Sequence, residues 1–218
     1  MTLNAELYWS FRSPYSYLGA RHYRQIAGQY DLEIDVRVVY PLAIRNPDFF
    51  THMNPLWIPY ILRDCQRVAE HRGLPFSLPS PDPVVQDMTT RAIADDQPYI
   101  HRLTRLGAEA ARRGQGLAFI DEISMMIWGD GTVGWDQGAH MAEATARAGL
   151  ELGDMEAAIA GHEDELDAAI SANQRALEAA GHWGVPCLVF DGEPFHGQDR
   201  IELAVWRMRQ NGLEDCRT

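Results

Sequence analysis

Hydrophobic positions near the N-terminus follow two different periods. Residues 5–10 form a short apolar and aromatic run, and residues 34–40 carry Ile34, Val36, Val38 and Val39, so both segments read as strands. Between them, residues 15–30 place apolar side chains at helical spacing, giving a β-α-β opening with the length of a parallel crossover. Pro41 ends the second strand, and residues 43–53 are irregular. Asn54-Pro55 starts a helix that runs towards His71 and stops at Gly73-Leu74-Pro75. Pro75 to Pro83 is a punctuated stretch.

From Val84 to Ala180 helix formers dominate. Leu103, Leu106, Ala110 and the alanine-rich blocks predict several helices, broken near Gly114-Gln115-Gly116, Gly129-Asp130-Gly131, Gly149 and Gly161 and started at Asp136 and Gly153-Asp154. Strand character returns in Trp183 to Phe190 and again in Pro194-Phe195-His196, across the turn Asp191-Gly192-Glu193. A final amphipathic helix carries Ile201, Leu203, Ala204, Val205 and Met208, with Asp199 as its expected cap. The order β-α-β, helical insertion, β-β-α is an α/β, thioredoxin-like plan. It predicts a discontinuous domain of residues 1–42 and 181–218 around a connecting segment and helical insertion at 43–180. Val185-Pro186 sits where such folds place a cis proline, and cis costs only about 0.5–1 kcal/mol at proline. Its consequence would be backbone at Val185 able to pair with an extended, peptide-like ligand.

Composition narrows the chemistry. With 218 residues, 46% hydrophobic and 23% charged, the chain is an ordinary globular protein with room for a substantial core. Its formal charge is -12, which argues against a nucleic-acid footprint. All 19 basic residues are arginine, so lysine Schiff bases, lysine general bases and a Walker-type phosphate loop are excluded. The N-terminal residues show no secretory signal and no stretch approaches a membrane span, so cytoplasm is the default expectation. Cys65, Cys187 and Cys216 form no CxxC unit, and the first two read as structural thiols. The histidines offer no compact metal-ligand spacing; His182 and His196 flank the final strand pair and read as ordinary residues that could meet in space.

Ser13 stands where the first strand hands over to the helix, with Pro14 suited to the first helical position. As an N-cap it would contribute about 1 kcal/mol; as a hydroxyl beside free helix N–H groups it could also meet a substrate. Asn54 is open to the same two readings, capping its helix or touching a ligand. Arg12 is either a solvated surface residue or a holder of a substrate carboxylate.

Taken together, Ser13-Pro14-Tyr15-Ser16-Tyr17-Leu18, Asn54-Pro55 with Tyr60, Asp64, Arg67 and Gly73-Leu74-Pro75, and Gly184-Val185-Pro186 with Phe195 and Gly197-Gln198-Asp199-Arg200 resemble the 2-hydroxychromene-2-carboxylate isomerase family. That family is related to kappa-class glutathione transferases and more distantly to periplasmic dithiol oxidases. The resemblance covers nearly the whole chain. It implies that glutathione is the cofactor and that Ser13, in place of the oxidase's first cysteine, activates its thiol. It further implies that glutathione pairs with Val185 before cis Pro186 and sets its γ-glutamyl carboxylate at Asp199-Arg200. An aromatic acid would lie near Asn54 and Arg12, with Trp9, Tyr15, Trp57, Tyr60 and Trp128 available to line its pocket.

One departure is plain: a lysine common a few residues before the helix tyrosine is missing, and Trp57 occupies that neighbourhood. The expected activity is glutathione-dependent isomerisation between a 2-hydroxychromene-2-carboxylate-like substrate and a trans-o-hydroxybenzylidenepyruvate-like product. Alternatives are a kappa-like transferase or cis–trans isomerase on another electrophile, a thiol–disulfide oxidoreductase, which serines at both 13 and 16 disfavour, and a noncatalytic interaction protein. A homodimer with a small aromatic substrate, no nucleic acid and no membrane completes the expectation.

Overall fold

The computed structural model describes residues 2–50, 53–87, 89–129 and 131–216. Strand β1 (Leu3–Trp9) lies parallel to β2 (Leu32–Val38), with Leu7 opposite Val36. Helix α1 (Pro14–Gln29) makes the crossover between them. Strand β3 (Cys187–Phe190) returns antiparallel to β1, and β4 (Glu193–His196) closes the four-stranded sheet in the order β2-β1-β3-β4. Asp191 and Gly192, at φ 50° and 77°, supply the two left-handed residues that this two-residue hairpin needs.

The period-two pattern sorts the sheet's faces. Ala5, Leu7, Trp9, Val36, Val38 and Leu188 point into the main core, while Tyr8, Cys187 and Val189 join Val39 and Leu177 in a smaller cluster on the other side. Helices of the inserted segment share that main core with the sheet. They are α2 (Leu42–Arg45), a 3-10 turn at Pro47–Phe50, α3 (Trp57–Arg72), α4 (Ile100–Arg112), α5 (Gly116–Ser124) running into a π turn at Met125–Gly129, α6 (His140–Arg147), α7 (Leu152–Ile159) and α8 (Glu163–Ala179). Helix α9 (Ile201–Gln210) ends the fold. Among the described residues no helix is long and apolar enough to cross a membrane.

The predicted β-α-β and β-β-α units, the helical insertion between them, the cis Val185-Pro186 bond and the helix breaks at the glycine positions are all present. Gly73 ends α3 in the left-handed conformation, as its sequence context requires. A second cis bond, Ser80-Pro81, was not anticipated.

Five local expectations need correction. Residues 84–87 and 89–99 are not helical, because polar side chains satisfy their backbone instead. Gln97 bonds the Val85 N–H and C=O and the Ala94 carbonyl, Asp87 accepts from the Thr89 and Thr90 N–H groups, and Gln86 and Ile93 form an isolated bridge. Asp136 does not start α6, which begins four residues later, after a turn. Helix α7 is capped by Glu151, whose carboxylate takes the Asp154 N–H at 2.7 Å, so Gly153-Asp154 falls inside the first turn. Asp199 does not cap α9: Arg200 holds the cap position without a side-chain bond, and Asp199 pairs with Arg200 at 3.0 Å. The segment expected to be irregular, 43–53, also contains one helical and one 3-10 turn, while Thr51, His52 and Asp130 lie outside the described residues.

Helix α5 approaches β2 closely at its first residue. A Cβ on Gly116 would come within 2.8 Å of the Val36 Cβ, so G116A must push helix and strand apart. Urea unfolding of G116A is expected to show a loss of about 1–3 kcal/mol, the usual cost of overpacking. Unchanged stability would show that this contact is slack.

Candidate functional site around Ser13 and Val185

Strand β1 ends at Trp9, and the chain reverses so that the Ser13 N–H donates to the Ser10 carbonyl at 3.2 Å. Ser13 is extended (φ -91°, ψ 114°), which lets Pro14 begin α1 and turns the Ser13 side chain onto the helix end. Its Oγ accepts the Ser16 N–H at 3.2 Å and donates to the Val185 carbonyl, also at 3.2 Å. Residues 172 positions apart are thereby joined by one hydroxyl.

The insertion braces this turn. The π turn after α5 carries Trp128, whose Nε1–H donates to the Phe11 carbonyl at 2.8 Å, while the Phe11 ring packs edge-on against Phe119. The Tyr17 hydroxyl donates to the Pro75 carbonyl. Arg12 binds Asp82 through two N–H···O contacts of 2.9 and 3.0 Å, gives a third N–H to Gln86 at 2.8 Å, and lies over the Phe50 ring. Asp82 and Gln86 thus hold the guanidinium that the sequence offered for a ligand carboxylate.

Opposite Ser13, the cis peptide at Val185-Pro186 is held by the Gly197 N–H, which donates to the Pro186 carbonyl at 2.8 Å. That bond brings residues 197–200 beside the cis proline. Asp199 and Arg200 are both exposed and paired there, at the start of α9. Arg45 donates to the Tyr40 and Trp183 carbonyls at 2.6 and 3.1 Å, tying the loop before the cis proline to the end of α2. Arg72 bonds the Leu18 and Gln198 carbonyls at 2.8 and 3.0 Å, and burial lowers its pKa. Neither arginine was singled out by sequence; each lies at the end of a helix, and only the fold shows which carbonyls it reaches.

His182 and His196 do meet. Their rings stack at 4.0 Å, and the His182 Nδ1 accepts the Gly184 N–H at 2.9 Å. Although His196 is solvent-accessible as a residue, its ring packs against a second imidazole beside Gly184, where an added Cβ would come within 2.7 Å of it. Desolvation, then the His182 and Arg200 charges, against the opposing pull of Asp199, hold its pKa down at about 4.

Outward from Ser13, Tyr15 donates to Asp64 on α3 at 2.8 Å, and burial followed by this bond raises the phenol's pKa. Asn54 is exposed and uses Oδ1 to accept the Leu56 N–H at 2.9 Å, so its side chain supports the start of α3, which begins at Trp57 rather than at Asn54-Pro55. Asn54 and Trp57 nonetheless line an open cavity of about 490 Å3, with Asn46, Asp48, Phe49 and Met53. Trp57, 40% exposed, packs on Phe49 and Phe50, and Phe49 in turn meets Trp183 at 5.7 Å between ring centres. This aromatic wall reaches the Ser13 turn through Arg12, which lies over the Phe50 ring, and the loop before the cis proline through Trp183, two residues before Val185. Phe49 and Phe50 were missed because they sit in a segment without a period, and Trp183 because the run read as strand from Trp183 becomes strand only at Cys187. Tyr60 is exposed on α3, whereas Trp9 and Trp128 are buried in the main core.

A second cavity of about 440 Å3 shares Met53 with the first and is walled by Phe50, Ile58, Thr90 and Arg91. The cysteines stand apart from this chemistry. Cys65 and Cys187 are fully buried, and burial pushes both thiols up to about 12, so neither is a ready thiolate.

A family model described as DSBA-like thioredoxin domain matches residues 5–208. The chain is 25% identical over 228 residues to 2-hydroxychromene-2-carboxylate isomerase of Pseudomonas putida, an alignment covering 94% of this chain and 96% of that one. Among solved structures it is similar to a selenomethionine form of 2-hydroxychromene-2-carboxylate isomerase, with TM-score 0.71 at 21% identity over 96% of this chain and 98% of the other. It is also similar to the cytosolic disulfide reductase DsbM from Pseudomonas aeruginosa with GSH, with TM-score 0.56 at 14% identity over 96% and 100% of the two chains. At these identities the structural likenesses establish the fold.

The depressed His196 pKa has a signed consequence. The folded protein binds this proton less readily than the unfolded chain, so its contribution is constant above the ordinary value of 6.5 and stability is lost as pH falls from there towards 4. Urea titrations of H196N and the parent between pH 7 and pH 4.5 should show the smaller loss in H196N. Parallel losses would place the imidazole in ordinary solvent.

Proposed function

This chain belongs to the DsbA-like thioredoxin-domain family, and from that membership we propose a glutathione-dependent isomerase that acts through Ser13. The observation that carries the reading is the Ser13 hydroxyl, placed at the N-terminus of α1 and aimed at the carbonyl before the cis proline. The likeness to 2-hydroxychromene-2-carboxylate isomerase over the full length of both chains supports the same reading.

Glutathione fits the residues present. Ser13 is half-buried and reachable, and the exposed Asp199 and Arg200 offer one charge for the ligand's α-amino group and one for its carboxylate, beside the first N–H groups of α9. When bound, glutathione would supply a nucleophilic thiolate for transient addition to a conjugated double bond. Ser13 has one proton to donate. Giving it to sulfur withdraws it from the Val185 carbonyl, which is then open to an N–H of the ligand backbone. A hydrogen bond to a charged group contributes about 1.5–3 kcal/mol, enough to lower a thiol pKa by roughly one to two pH units at a helix N-terminus.

Serines at both 13 and 16, with Cys65 and Cys187 buried, leave no dithiol at this site for disulfide exchange. The substrate in this reading is a 2-hydroxychromene-2-carboxylate-like aromatic acid, converted to the trans-o-hydroxybenzylidenepyruvate-like isomer against the wall of Phe49, Trp57 and Trp183.

Ser13→Ala tests the assignment. Glutathione-dependent kcat/KM is expected to fall roughly 10- to 100-fold, with the acidic limb of its pH profile displaced upward by about one to two units, as the thiolate loses one charge-assisted bond. Loss of the cap alone costs about 1 kcal/mol of stability and moves no pH profile. An unchanged rate and profile would remove Ser13 from the chemistry.

A further inference from the structure

The proposed substrate is an anion, yet the arginines nearest Ser13 are occupied by the protein itself. Asp82 and Gln86 hold Arg12, and the Tyr40 and Trp183 carbonyls hold Arg45. No lysine exists to take their place. Among the described residues lining the first cavity, the charged group is the Asp48 carboxylate, whose sign does not favour an anion there.

The second cavity differs. Arg91 is part of its wall, and the Arg91 side chain makes no hydrogen bond or ion pair among the described residues. Its backbone, by contrast, is tightly specified. Arg91 stands at φ 66°, left-handed for a residue with a Cβ, its N–H donates to the Asp87 carbonyl at 2.8 Å, and its own carbonyl accepts the Gln86 Nε2–H at 2.8 Å. The nearby Asp87 carboxylate is spent on the Thr89 and Thr90 N–H groups, which lower its pKa, and it does not pair with Arg91. Gln86 also accepts an N–H from Arg12. One amide side chain therefore links the backbone of Arg91 to the residue next to Ser13. Met53 lines both cavities, and Phe50 of the second cavity meets Trp57 of the first at 6.5 Å between ring centres.

We propose that Arg91 is the residue that binds the carboxylate of the electrophile, with the aromatic ring lying across Phe50 and Met53 towards Trp57. The assignment rests on the glutathione-dependent reading for the identity of the electrophile, but the anion site is defined by the cavity and the unpaired guanidinium. A guanidinium binds a carboxylate bidentately and in a fixed plane, which orients the attached chain as well as holding it.

The test uses Arg91→Asn, a substitution that suits the left-handed backbone, and Arg91→Lys. Thermal unfolding first verifies that both variants are folded. Calorimetry then follows 3-phenylpropionate, an unreactive aromatic acid, and its uncharged amide, each added to the full chain in the presence of glutathione. The acid is expected to bind R91N roughly 10- to 100-fold more weakly than the parent and R91K at an intermediate strength, while the amide distinguishes none of them. With the o-hydroxybenzylidenepyruvate substrate, R91N should raise KM and leave kcat nearly unchanged. No binding of the acid to the parent, equal binding of the acid to R91N, or equal losses for acid and amide would each overturn the role of Arg91. Arg91-dependent binding of the acid without any glutathione-dependent turnover would sustain the anion site and overturn the proposed function instead.

Discussion

One hydrogen bond, from the Ser13 hydroxyl to the Val185 carbonyl, joins the first crossover of this fold to its last strand pair. The same oxygen accepts the first-turn N–H of Ser16, so the helix start and the cis proline that leads into β3 meet at a single atom. The surroundings exist to hold that atom still. Trp128 fixes the Phe11 carbonyl, Asp82 and Gln86 fix Arg12, and the Gly197 N–H fixes Pro186. Two of these three restraints come from the inserted segment, which therefore helps to position the Ser13 turn.

The electrostatics follow the same logic. In an acidic chain without lysine, the arginines divide into those committed to structural acceptors and those that are not. Arg12, Arg45 and Arg72 are consumed by carboxylate or backbone acceptors, and Arg45 and Arg72 are partly desolvated in the process. Arg91 stands on a cavity wall with no side-chain partner among the described residues, while Arg200 pairs with Asp199 at the entry to α9. Cys65 and Cys187 are withdrawn by burial, and the turn itself carries the hydroxyls of Ser13 and Ser16.

Much of this was legible from residue order. The alternation through Ile34, Val36 and Val38, the Ser-Pro helix start and the Val-Pro-Cys entry into a hairpin are local signals that the tertiary structure obeys. Residues 84–99 were not legible, because their side-chain amides and carboxylates compete with the backbone for the same hydrogen bonds, and composition does not reveal that competition. Asp199 failed as a cap for a related reason: an adjacent arginine offers it a partner, so α9 starts without a side-chain cap. At the site, Ser13 and Val185 were readable as a pair only through the fold plan. The aromatic wall of Phe49, Phe50 and Trp183 was not, since it is assembled from two aperiodic loops that the sheet brings together.

The central claim is that this turn holds a borrowed thiol, and calorimetric titration of the parent and S13A with reduced glutathione addresses it without any assumption about the second substrate. The account predicts saturable one-to-one binding to the parent at millimolar or lower concentration, with release of thiol protons on binding that is diminished in S13A. Absence of binding at millimolar glutathione, or proton release identical in the two proteins, would contradict it.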